Sequence, residues 1–439
     1  MLYACNENRL SLIKGFGEKT QKNVQEAIEF YHKSHGCYLY SEAEQYSHAI
    51  TQKLTTAFTS NKFEPTGELR RQLEIINILE WVTTLSKTEL SKFFASLLFE
   101  CKTENENSIV FSGTEGLDLK FHLTTADTFT QVLFETSGSE EFLEACSQMP
   151  NWSNRSSMYS EEALFSTLGL PFIPPYLRET VGVVGLADLP VIIQPHDISG
   201  IVHCHSNWSD GNHSVEELAE ACIALKMEYL VLSDHSKSAF YANGLQEVRI
   251  HSQQEQIVEL NEKLRPFKIF KSIECDILND GSLDYPDDIL STFDLVIASI
   301  HSNLKMTEQK AMSRLLGAIE NPYTTILGHM TGRLLLSRSG YPVNHKKIIE
   351  ACAANHVAIE LNAHPRRLDM DWRWISYAMQ CGVLISINPD AHYLHGLDYT
   401  RYGVLSAQKA GLTKEKNLSS FSLNEFEKYL AATKKRKGI

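Results

Sequence analysis

From about residue 197 onward the sequence repeats one pattern: a short apolar run, a few polar residues, then an amphipathic stretch. The runs are Ile201–Val202, Tyr229–Leu232, Ile269–Ile273, Leu295–Ile300, Thr324–Leu327, Val357–Leu361 and Val383–Ile387. Helical signals lie between most of them. Ser214-Val215-Glu216-Glu217 is a capping box that opens a stretch continuing through Leu218, Ala221, Cys222 and Leu225. Parallel neighbours need a crossover, so this alternation predicts an α/β fold with a parallel sheet, closed as a barrel. In such barrels the chemistry sits where the strands end.

Ligand-competent side chains follow all seven runs. After the first come His203, His205 and Asp210, and after the second Asp234 and His235. Glu274 and Asp276 follow the third, His301 the fourth, His329 the fifth, and Asn362 and His364 the sixth. The seventh ends in Asp390 and His392, spaced i, i+2 like His203 and His205. On a strand that spacing turns both imidazoles to one face. Repetition after every strand is the pattern of a metal cluster, and imidazoles with carboxylates suit Zn, Mn or Fe. Cys204, between the paired histidines, is expected to face the core.

The chain is an ordinary globular one in composition, with 43% hydrophobic and 22% charged residues. It has no membrane-length apolar run and no secretory pattern at its start. Nine cysteines without CxxC spacing read as reduced thiols, so a cytoplasmic location is expected. A net charge of −13 argues against tight binding of DNA by the whole surface and fits a carboxylate-rich metal protein. The one basic run, Lys434-Lys435-Arg436-Lys437, is expected to be a solvated tail.

The N-terminal half is less regular. Gly15-Phe16-Gly17 with Lys19 opens a helical pattern through Val24, Ala27, Ile28 and Tyr31. Backbone N–H groups at such a turn suit a phosphate, and the segment resembles a helix-hairpin-helix motif that grips DNA backbone. Helices are expected at 42–58, 129–133 and 161–168, and a strand at 117–122. Prolines from Pro171 to Pro195 mark a linker. The expected organisation is a hairpin segment at 1–36, a second region at 37–170, a linker at 171–196, the barrel at 197–432 and the basic tail at 433–439.

His203-Cys204-His205, Asp210, Ser233-Asp234-His235, Glu274-Cys275-Asp276, Ile300-His301-Ser302, Gly328-His329 and Asp390-Ala391-His392 resemble the polymerase and histidinol phosphatase (PHP) domain. The wider chain resembles bacterial family X DNA polymerases carrying that domain at their C-terminus. Gly169 to Glu179, Glu360-Leu361-Asn362-Ala363 and Arg367-Leu368-Asp369 add to the likeness. The resemblance implies a distorted seven-stranded barrel holding three divalent metals. His203, His205, Glu274 and Asp390 would hold one; Glu274 would bridge to a second held by His301 and His329; Asp210, His235 and His392 would hold the third. Arg367, beside Arg366, is expected to grip a phosphate, and Asp234, with Asp276 and His364, to orient ligands. Arg367 and Asp234 are the candidate catalytic residues.

Residues 37–170 depart from the family. The palm of such polymerases needs an Asp-x-Asp pair and a third carboxylate. Aligning Gly67-Glu68-Leu69-Arg70-Arg71 places Ile78 and Glu80 at the pair and Lys120 near the third position. One carboxylate of three survives, so a degenerate palm and thumb without polymerase activity is expected. The likeness begins inside the family's second hairpin, and the domain that grips a gap's 5′ phosphate is not expected. The expected activity is phosphate-ester hydrolysis, as a 3′–5′ exonuclease on single-stranded or gapped DNA. The alternatives are a phosphatase for a small phosphomonoester and a non-catalytic DNA-binding protein.

Overall fold

The computed structural model describes residues 36–113, 116–154 and 158–439, with scattered positions among the first 35. Gly15 and Lys19 of the expected hairpin lie outside the described residues. Gly17 is described, and its carbonyl accepts a hydrogen bond from Gln21 N at 3.0 Å, a helix-opening turn. The chain forms two units, Met1–Leu189 with Leu334–Arg338, and Pro190–Arg333 with Ser339–Ile439.

The first unit carries a two-residue ladder of β1 (Tyr38–Leu39) with β3 (Ile75–Ile76) and a five-stranded sheet. The sheet runs in the order β2 (Phe63–Thr66), β4 (Ile78–Thr83), β7 (Asp118–Leu123), β6 (Ser108–Ser112), β5 (Glu100–Glu104). Only β4 and β7 are parallel. Alternate residues of these two strands, Trp81 and Phe121 among them, point into an aromatic core with Phe94 and Phe111. Their register sets Glu80 opposite Lys120 and Ile78 opposite Asp118. Glu80 pairs with Lys120 at 3.1 Å and with His122 Nε2 at 2.8 Å. Glu80, the carboxylate expected at the palm position, thus has its partners within its own sheet.

Part of the expected linker packs into this unit. Arg178 is fully buried, donating to Glu161 Oε1 at 2.6 Å and to the Ile173 carbonyl at 2.8 Å. Its guanidinium lies 4.9 Å from the Phe165 ring centroid and 5.5 Å from that of Phe134. Arg70 also binds Glu161, through both carboxylate oxygens.

The second unit is a seven-stranded parallel sheet in sequence order: β8 (Gly200–Cys204), β9 (Tyr229–Leu232), β10 (Lys268–Asp276), β11 (Leu295–Ser299), β12 (Thr324–Leu327), β13 (Ala358–Asn362) and β14 (Ile385–Asn388). The bridge of Cys204 with Ala391 brings the two edges together and nearly closes a barrel. Helices such as Val215–Ala224, Glu247–Lys263 and Glu308–Glu320 connect the strands. Burial on both faces explains the uninterrupted apolar runs in the sequence.

The basic run is not a free tail. Residues 434–437 continue the helix Leu423–Lys437, which starts at a Ser422–Glu425 capping box. Phe426 stacks on Tyr229 at 4.6 Å, anchoring the helix, and Lys434 Nζ then reaches the Phe293 carbonyl at 2.7 Å. Lys437 reaches the Thr324 carbonyl, so two of the basic side chains satisfy backbone acceptors. Among the described residues no helix is long and apolar enough to cross a membrane.

Candidate metal centre

The strand ends converge on Glu274, two residues before the end of β10. It is 1% exposed, and its Oε1 lies 3.0 Å from His329 Nε2, 3.1 Å from His301 Nε2 and 3.3 Å from His203 Nε2. Its Oε2 lies 2.9 Å from His235 Nδ1 and 3.7 Å from His205 Nε2. One carboxylate therefore lies against five rings from four other strand ends. All nine expected ligands meet at this mouth.

Three subsets bring their donor atoms within 4.8 Å of one another: His203, His205 and Asp390; His235, Glu274 and His301; and His205, Asp210, His235 and His392. The sharing differs from the family-implied assignment, because His205 and His235 each fall in two subsets. His329 joins through Glu274 Oε1. Asp390 Oδ1 lies 3.1 Å from His205 Nε2, and Asp210 Oδ1 lies 3.4 Å from His392 Nε2.

Local backbone geometry builds these positions. β8 changes register between Val202 and Cys204, with His203 at φ +66°. The bulge, not plain alternation, sets the direction of the paired imidazoles. Asp390, at φ +50°, is a second ligand in the left-handed region. Such strain on non-glycine residues persists only where surrounding structure over-determines it. Gly211 closes the turn that carries Asp210. A Cβ there would lie 2.2 Å from the His205 carbonyl oxygen, so no side chain fits.

The buried donors are not satisfied by protein alone. His203 Nε2, His205 Nδ1, His235 Nδ1, His329 Nδ1 and Glu274 Oε2 make no hydrogen bond. Electrostatics point the same way. Burial resists ionisation of Glu274, but the charges of His301, His203 and His235 outweigh it and hold its carboxyl well below the usual range. Burial and the neighbouring charges of His392 and His235 push His205 down to about 3. Ionised carboxylates among imidazoles with orphaned ring nitrogens fit divalent cations.

A further layer fixes the ring orientations. Glu360 Oε2 binds His203 Nδ1 at 2.6 Å and accepts from Asn388 Nδ2 at 2.7 Å. Asn362 Nδ2 bridges Glu360 Oε1 and Asp390 Oδ2, each at 3.0 Å. Asp276 lies 3.2 Å from His301 Nδ1, the orienting role expected of it. Glu360 and Asn388 carry no expected role from sequence. Both sit inside apolar strands, and the only signal for either was the Glu-x-Asn spacing on β13.

Arg367 faces the centre, its Nε 3.5 Å from Asp390 Oδ2. Asp234, expected to orient ligands and also a candidate catalytic residue, lies two residues past β9. It is wholly buried, accepting from Ser206 N and Oγ, Ser209 Oγ and Gln253 Nε2, and burial raises its carboxyl above the usual range. Adjacent strand-end residues point opposite ways, so His235 enters the mouth while Asp234 anchors the turn leading to Asp210. His364 accepts from Arg366 N and shapes the loop after β13.

A parallel barrel that gathers imidazoles and carboxylates at its strand ends is the architecture of a metal-dependent phosphoesterase, and the PHP domain model matches residues 202–364. Over the longer span the chain is 33% identical to the DNA polymerase/3′-5′ exonuclease PolX of Bacillus subtilis (strain 168), covering 97% of this chain and 79% of the relative. The chain belongs to this family, the bacterial family X DNA polymerases that carry a PHP domain. Two probable phosphatases match in part. One, from Thermoanaerobacter sp. (strain X514), is 26% identical over 41% of this chain and 74% of its own length. Another, from Vibrio parahaemolyticus, is 25% identical over 52% of this chain and 93% of its own.

Proposed function

We propose that the chain is a 3′–5′ exonuclease that removes nucleotides from an unpaired DNA end, with hydrolysis in a trinuclear centre and polymerase activity lost. The observation that carries this reading is the nine-residue donor set around Glu274, taken with a Glu80 that is paired with Lys120 and His122. The relative named PolX supports DNA as substrate.

His203, His205, Glu274 and Asp390 would hold one ion, Glu274, His301 and His329 a second, and Asp210, His235 and His392 the third. Ions bound there clamp a phosphate, activate water and stabilise the leaving oxygen. The chain's own groups do the positioning. Arg367 offers a guanidinium to a non-bridging phosphate oxygen, fixing the diester against the mouth. Glu360 holds the His203 ring by its Nδ1, which leaves Nε2 directed at Glu274. Asn362 holds one Asp390 oxygen and leaves the other directed at His205. In the reaction, water adds to phosphorus, the P–O3′ bond breaks, and the 3′ oxygen leaves with a proton.

A second reading, a phosphatase of small phosphomonoesters, is favoured by the probable phosphatases whose length the barrel alone largely covers. The test is turnover of a 5′-labelled single-stranded oligonucleotide and of p-nitrophenyl phosphate with Mn²⁺, for the wild type and His203→Ala. Shortening from the 3′ end that is lost in the variant is expected. Hydrolysis of the small ester alone would replace this reading with the second.

A further inference from the structure

The loop after β9 does more than deliver His235. Residues 236–245 leave the barrel and return, and both ends are tied to the backbone of metal-centre residues. Ser236 N donates to the Glu274 carbonyl at 3.1 Å, and Leu245 N donates to the His235 carbonyl at 2.9 Å. The rest is pinned. Ser238 N and Oγ bind both oxygens of Asp284, Lys237 N donates to Tyr285 Oη at 3.0 Å, and Asn243 Nδ2 reaches the Trp208 carbonyl at 3.2 Å. Arg249 adds a bond from Nη1 to the Asn243 carbonyl at 2.8 Å. Gly244 lets the strands of the excursion touch, since a Cβ there would meet the Ser236 carbonyl oxygen at 1.9 Å.

This stiff loop carries two aromatic side chains in solvent, Phe240 at 85% and Tyr241 at 65% exposure. Their rings meet edge to face, with centroids 6.1 Å apart and planes at 78°. Tyr241 lies close enough to the centre for its hydroxyl to be raised to about 12, by burial first and then by the carboxylates of Asp276, Glu274 and Asp210. The segment after His392 presents Tyr393 stacked on His395, centroids 4.7 Å apart. An ordered loop that holds a phenylalanine in water costs stability unless something covers that ring. Nucleobases fit such a ring, because every base has a π-face and the loop that carries it is tied at both ends to His235 and Glu274. A small phosphomonoester has no flat surface to set against it.

Resting on the exonuclease reading above, we propose that Phe240 and Tyr241 are a stacking platform for the unpaired terminal base of a single-stranded nucleic acid, placing its phosphodiester in the metal centre. The platform makes the enzyme select an unstacked end over one held in a duplex.

The test compares KM and kcat on a single-stranded oligonucleotide with an intact 3′-terminal base and on one with an abasic 3′ terminus. The enzymes are the wild type, Phe240→Ala, Tyr241→Ala and Phe240→Trp, all loaded with Mn²⁺. Stacking on one ring is worth about 1–3 kcal/mol, so the wild type is expected to prefer the intact base by roughly tenfold in KM. That preference should fall to about twofold or less in the alanine variants and survive in Phe240→Trp. An equal preference in wild type and alanine variants would overturn the platform. So would sedimentation of the wild type as a larger species than Phe240→Ala, which would mark the rings as a contact between copies. If the wild type shortens neither oligonucleotide yet hydrolyses p-nitrophenyl phosphate, the exonuclease reading itself fails and the platform with it.

Discussion

At the scale of single residues, the centre depends on groups that never touch a substrate. Glu360 is the clearest. It is fully buried, holds His203 Nδ1, accepts from Asn388 and Asn362, and accepts from His329 N at 3.1 Å. Glu360→Gln keeps the shape but removes the charge that fixes the His203 tautomer. Metal affinity is expected to fall by about 10- to 100-fold, read by titration of the apo protein with Mn²⁺. An unchanged affinity would mean the ligands are held by packing alone. The clustering of the nine candidate ligands was legible in sequence, because each follows an apolar run and few scaffolds need a histidine there. Glu360 and Asn388 were not, since a polar residue inside a strand gives no sign of which face it lines. Nor was the direction of Asp234, because proximity to a strand end does not fix it, and Ser206 and Ser209 lie apart in sequence from the carboxylate they bind.

At the scale of elements, the segment after the helix Glu161–Thr167 locks the first unit through one buried ion cluster. Arg178 sits among Phe134, Phe165 and Phe172 and pairs with Glu161, which Arg70 also binds. Arg178→Ala leaves Glu161 with a single cation and an aromatic void, and is expected to destabilise this unit by about 3 kcal/mol, read from denaturant unfolding. A loss below about 1 kcal/mol would show the cluster to be neutral. The same cluster sets a pH dependence. Burial raises the Glu161 carboxyl, but the hydrogen bond from Arg70 and the charges of Arg178 and Arg70 outweigh it and hold the group below its ordinary value. With the folded value depressed, the contribution is complete above the unfolded value near 4.3 and is lost as pH falls through the folded one. Stability of the unit should therefore hold from pH 7 to about 5 and drop below about 4. In Arg178→Ala that acid-side loss should be smaller. The sequence marked this segment as a proline-broken linker. Breaking of periodicity was legible, but the burial of an arginine within it was not, because its partners lie far apart in the chain.

At the scale of the molecule, one unit gathers nine candidate ligands while the other pairs Glu80 with Lys120. Register explains the second. Parallel pairing of β4 with β7 sets Glu80 against Lys120, and the two side chains form an ion pair. The barrel was legible almost strand for strand, because parallel strands buried on both faces read as apolar runs. The basic run at 434–437 was misjudged: its lysines reach carbonyls that only the folded barrel brings near. Since bound ions stabilise only the folded barrel, chelation should speed amide exchange in β8 to β14, and added Mn²⁺ should restore protection. Exchange insensitive to both would show that the donors hold no ion.

The most direct measurement places a 5′-labelled primer with an unpaired 3′ end on a template, with all four deoxynucleotides and Mn²⁺. The wild type is expected to shorten the primer and never extend it, and Asp390→Asn to do neither. Extension by the wild type, or shortening that survives in Asp390→Asn, would contradict the account.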